Sequence, residues 1–65
     1  MKRDVARPIY ISVAPVGEAT LERMRFHRRE ARAMLHAEGK RVWLLTAEPM
    51  DYQPDLLRLT WQAES

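Results

Sequence analysis

The chain contains no cysteine and only two glycines, and none of its apolar stretches approaches the ~18 residues needed to span a bilayer. The first absence excludes disulfides and thiolate-ligated metal sites, the staples on which many short chains depend. The scarcity of glycine excludes a glycine-rich loop wrapped around phosphate. Behind the charged start Met1-Lys2-Arg3-Asp4-Val5 there is no apolar run of ~7–15 residues, so no ordinary signal peptide is expected and the expected location is cytoplasmic. A nucleophile elbow around Ser12 or Ser65 is missing too. Glu48, Asp51 and Asp55 lack the spacing and turn glycine of a calcium loop, and His27 and His36 stand on different flanks of any helix that holds both. Catalysis, a cofactor, a bound metal and membrane insertion are therefore not expected.

With 65 residues the chain has material for one hydrophobic core, which sets a single domain over residues 1–65 with frayed ends at 1–7 and 63–65. At the usual stability per residue the whole fold is worth roughly 3–10 kcal/mol. Self-association is one way to add buried surface, and a homodimer fits that need.

Three segments carry the pattern. Residues 8 to 15 alternate Ile9, Ile11 and Val13 with Tyr10, Ser12 and Ala14 between Pro8 and Pro15, which predicts a strand whose isoleucine-valine face enters the core. After Gly17, residues 18 to 38 are good helix formers with Gly39 in the place of a left-handed cap, predicting one helix of about 20 residues that overhangs its sheet. An advance of 100° per residue sets Leu21, Met24, Ala31, Met34 and Leu35 on its core flank and Ala19, Phe26, Ala33 and Ala37 on a weaker second line. His27 and Arg28 interrupt the core flank, as an interfacial ring and a snorkelling stem. Residues 41 to 47 are apolar on both faces, as in a mid-sheet strand. Pro49 and Pro54 make residues 48 to 55 a loop, and residues 56 to 62 alternate Leu57, Leu59 and Trp61 with polar positions to give a third strand. Both tryptophans, Trp43 and Trp61, fall on strands and are assigned to the core. The fold class that follows is α+β, in the order β-α-β-β, with one long helix on a small three-stranded mixed sheet whose first two strands run parallel and whose last two are antiparallel neighbours.

Charge is unevenly spread. Residues 1–22 balance, residues 23–41 set seven basic side chains against Glu30 and Glu38, and residues 42–65 set Arg58 against Glu48, Asp51, Asp55 and Glu64. On the helix, Arg25, Arg29, Arg32 and His36 recur at spacings of four, three and four, a ridge short of internal carboxylates and suited to an external anion. The segment Met50-Asp51-Tyr52 offers a second contact surface, since rigid aromatic and methionine anchors lose little entropy on binding.

Residues 49 to 59, Pro-Met-Asp-Tyr-Gln-Pro-Asp-Leu-Leu-Arg-Leu, resemble the inhibitory loop and following strand of the potato inhibitor I family of serine-protease inhibitors. The resemblance implies that Met50 fills a protease pocket and that Asp51 follows the scissile bond; Leu56 stands where that family keeps a loop-bracing arginine. The function expected overall is non-enzymatic: a protein-binding module, an inhibitor or adaptor of the type phages and mobile elements encode, acting by occlusion. The alternative is nucleic-acid binding through the Arg25, Arg29 and Arg32 face, with phosphate supplying the countercharge.

Overall fold

A computed structural model describes residues 7–18 and 20–64. Strand β1 (Ile9–Pro15) leads through a 3-10 turn at Val16–Glu18 to helix α1 (Leu21–Met34), then to β2 (Val42–Met50) and β3 (Gln53–Ala63). The sheet has the order β1-β3-β2, and both neighbouring pairs are antiparallel. The molecule is thus a small α+β fold, but the expected mixed sheet is corrected. The segment read as mid-sheet, β2, is an edge, and the central position belongs to β3, whose Leu57, Leu59, Trp61 and Ala63 are apolar or small on the covered side.

The helix is shorter than expected. Thr20 caps it, accepting through Oγ1 from the Arg23 amide at 3.2 Å. It stops at Met34 because the chain turns left-handed at His36 (φ 52), three residues before Gly39 (φ 79). The Ala37 amide reaches the Arg32 carbonyl at 2.9 Å and the His36 amide reaches Ala33 at 3.2 Å, the paired bonds of a Schellman cap. Fourteen residues make ~21 Å of helix, whereas the eleven residues of β3 extend over ~36 Å, so the hairpin overhangs the helix rather than the reverse.

Which side of β1 is buried is also reversed. Ala14, Ala31, Ala37, Val42, Leu59, Trp61 and Ala63 form the core, with Tyr10, Met24, Leu35 and Leu57 packed against it. Ile9, Ile11 and Val13 face away from the helix, each about half exposed. The cause is twofold. The Trp61 indole needs an acceptor when buried and donates to Ser12 Oγ at 3.0 Å, which turns Ser12 inward. Four alanines in the core let α1 approach the sheet closely, where isoleucine on β1 would hold it off. The helix buries His27 and Ala31, while Leu21 and Met34 of the expected stripe stand 69% and 59% exposed. Of the weaker line, Phe26 and Ala33 are exposed, Ala37 is buried beyond the helix end, and Ala19 lies outside the described residues.

The prolines do not make a loop. β2 and β3 are joined by the two residues Asp51 and Tyr52, with Met50 opposite Gln53. Pro49 is tolerated because it lies on an edge strand at a position whose nitrogen points away from β3, so no ladder bond is lost. Pro54 falls in a register irregularity beyond the end of β1 and faces no paired residue on either side. Expected fraying at 1–7 lies mostly outside the described residues. At the other end Ala63 is a fully buried strand residue, and Glu64 continues the pairing through its amide to the Arg41 carbonyl at 2.9 Å.

Candidate partner-binding site

Burying His27 and Ala31 fixes how α1 is rotated, and that rotation decides where its arginines go. Arg25, Arg28 and Arg32, together with Leu21, lie on the flank above β2. There they border a groove whose floor is Val42 and Leu44, whose inner wall includes Met24 and Trp61, and whose outer rim carries Arg41 and Trp43. Among the described residues lining this groove none is acidic. Arg32 is held in place by its Nη2 donating to the Lys40 carbonyl at 3.3 Å. The one ion pair among the described residues, Arg58 to Glu48 at 3.5 Å, lies elsewhere on the sheet, and at the rim the Glu64 carboxylate accepts from the Arg41 backbone amide at 3.1 Å rather than pairing with a guanidinium.

The backbone beside these arginines is open. Since the Glu64 amide bonds the Arg41 carbonyl, alternation along the strand turns the amides and carbonyls of Val42 and Leu44 away from β3, toward the free edge. At Leu45 the register slips by one residue, a bulge that ends this regular stretch. Trp43 points to the opposite face of the sheet, half-buried, with the Arg7 and Arg41 guanidinium groups 5.6 and 5.8 Å from its ring centroid. Its assignment to the core is corrected: Trp61 is core, and Trp43 is a half-covered surface ring.

The expected ridge is divided. Arg25 and Arg32 reach the groove. Arg29 lies on the outer side of the helix with Glu22, Arg23, Arg25 and Phe26 around a separate depression, and His36 is no longer helical. Met50, Asp51 and Tyr52 sit at the hairpin tip, roughly 25 Å along the strand from Trp43, with Tyr52 97% exposed and Met50 partly buried. They do not join the groove. Nor is there an extended loop at Met50 of the kind that the protease-inhibitor resemblance implies.

Arg28 was read from the sequence as a snorkelling stem with no binding role, and Arg41, Val42 and Leu44 were not expected to line a site. The spacing of three and four in Arg25, Arg28 and Arg32 is legible once the wheel is centred on His27 and Ala31, and treating His27 as interfacial hid it. Among the described residues no group of three or more metal-ligating side chains is found, and no helix is long and apolar enough to cross a membrane. Neither a family model, nor a curated protein, nor a solved structure matches the chain.

Proposed function

We propose that the protein is a binding module that captures an extended, acidic segment of a partner protein in the groove between α1 and β2, acting by occupancy rather than by catalysis. The observation that supports this reading most is the coincidence of open strand-edge groups at Val42 and Leu44 with four arginines and no acidic side chain among the described lining residues. A strand laid along that edge gains main-chain hydrogen bonds, while its carboxylates meet Arg25, Arg28, Arg32 and Arg41. The side chains that alternate with the carboxylates turn to the other face of the sheet, beside Trp43.

The test is fluorescence anisotropy with a labelled peptide of alternating glutamate and valine. Binding that weakens at least tenfold in the Arg25→Glu/Arg28→Glu double variant supports the groove. An affinity unchanged by that double reversal overturns it. Nucleic-acid binding is the second reading, favoured by the outer depression, where Arg23 lies 5.1 Å from the Phe26 ring beside Arg25 and Arg29 and offers charge with a stacking surface. An oligonucleotide that binds more tightly than the peptide, and that is lost on Arg29→Glu, selects that reading instead. The hairpin tip retains Met50, Asp51 and Tyr52 as a lesser candidate surface. Alanine at Met50 and Tyr52 should leave peptide affinity in the groove unchanged.

A further inference from the structure

The other edge of the sheet has a different chemistry. From Pro8 to Val16 the chain carries no charged side chain, and β1 pairs with β3 over seven consecutive residues without a bulge. Such an edge lacks the devices that ordinarily keep strands apart: charge, a bulge, or an internal proline. Its open groups follow from the Ala63 amide, which bonds the Pro8 carbonyl at 3.1 Å. Pro8 therefore points its carbonyl at β3, as do Tyr10, Ser12 and Ala14, and the amides and carbonyls of Ile9, Ile11 and Val13 face outward. Pro15 closes the series, since it has no amide to offer. The open stretch is thus three residues long, symmetric about Ile11.

From this we infer that β1 is a seam for a second copy of this chain, the two strands pairing antiparallel about a twofold axis at Ile11. In that register Ile11 meets its own counterpart, Ile9 meets the partner copy's valine at position 13, and all three are hydrogen-bonded positions on both strands. Six main-chain bonds form and no charge is brought opposite another. The half-exposed Ile9, Ile11 and Val13 gain apolar neighbours on their open side, at 51%, 51% and 46% exposure in the single chain. The sheet becomes six-stranded, with both helices on one face. The charge distribution suits this. The helix flank toward β1 holds Arg23 and Glu30 beside the exposed Phe26 and Met34, so it is near neutral, while Arg25, Arg28 and Arg32 lie toward β2 at the outer ends of the pair. A foreign strand offers no such match of register and charge without being specified separately.

Sedimentation velocity across a concentration series, with amide hydrogen exchange at each concentration, tests the seam. The expected result is a reversible monomer–dimer equilibrium in which the amides of Ile9, Ile11 and Val13 gain protection as concentration rises. Val13→Pro removes one outward amide per chain and no bond to β3, so it should raise the dimer dissociation constant about tenfold or more while circular dichroism stays unchanged. Ile11→Lys, placing two like charges on the axis, should give monomer and serves if the proline variant unfolds. A wild-type chain that remains monomeric at ~1 mM overturns the proposal. So does a dimer that survives both variants, which would mean that the pair forms through sheet faces or through β2.

Discussion

The two edges of one three-stranded sheet are built differently, and the difference shows how a small chain can give opposite chemistry to its two open sides. The β2 edge is interrupted by the bulge at Leu45, carries Pro49 with its nitrogen outward, and is overhung by arginines. The β1 edge has no bulge and no charge and is bounded only by prolines at its ends. On the proposed readings, the arginine-lined edge repels its own kind and takes an acidic strand, whereas the uncharged edge with its symmetric open stretch pairs with itself. Both hang on β3, which pairs with each of them.

That dependence gives the largest expected effect. Leu59 is fully buried at the centre of β3, and Leu59→Ala should cost about 2–5 kcal/mol through lost transfer energy and a residual cavity. This is a large share of what a chain of this length holds, so chemical denaturation should show the variant largely unfolded, with peptide capture and self-association lost together. Loss of one with retention of the other would show that the edges do not share a common support.

Salt should separate the two edges. Capture of the acidic peptide at β2 rests on exposed charge and is expected to weaken roughly tenfold between 50 and 500 mM sodium chloride, because exposed pairs are screened over a few ångströms. The β1 seam rests on main-chain bonds and apolar contact, so its dissociation constant should hold or fall slightly over the same range. Parallel weakening of both, measured by anisotropy and sedimentation, would break the comparison.

Some of this was legible in the sequence and some was not, for definable reasons. The strand between Pro8 and Pro15, the existence of one helix, and the inward face of Leu57, Leu59 and Trp61 follow from periodicity alone. The orientation of β1 did not, because apolarity argues for burying Ile9, Ile11 and Val13, whereas the hydrogen-bonding need of Trp61 and the close packing of alanines decide for Ser12 and Ala14. Pro49 and Pro54 read as loop residues since proline cannot donate. Whether a nitrogen points outward depends on register, which one strand's sequence does not contain. The basic groove was hidden for a related reason: a histidine at the centre of the helix's buried face shifts the apparent apolar stripe toward Leu21 and Met34.

His27 gives the next prediction and a control on both edges. Its ring is buried between helix and sheet, and neither Nδ1 nor Nε2 has a hydrogen-bond partner among the described residues. Buried polar atoms left unpaired forfeit their hydration without return, so His27→Leu should stabilise the fold by about 1–2 kcal/mol, seen as a higher denaturation midpoint with an unchanged slope. Since His27 borders neither open edge, peptide affinity and dimer constant should stay as they were. A destabilised variant would mean that the imidazole is held by a bond that the arrangement of α1 over the sheet does not display.

The smallest effect concerns how α1 hands the chain to β2. His36 takes the left-handed position of the Schellman cap at φ 52, where a Cβ crowds the backbone and glycine does not. His36→Gly removes that strain but also loosens the unfolded chain, and the net gain should be about 0.5–1 kcal/mol by denaturant titration. The side chain is exposed and off the helix, so no groove contact is lost with it. If the substitution also alters peptide affinity, His36 is part of the basic surface after all, and the β2 edge extends past Arg32 around the end of the helix. If stability alone changes, the edge ends where Arg32 is tied to the Lys40 carbonyl, and the residues between helix and strand serve only to aim Val42 and Leu44 at the groove.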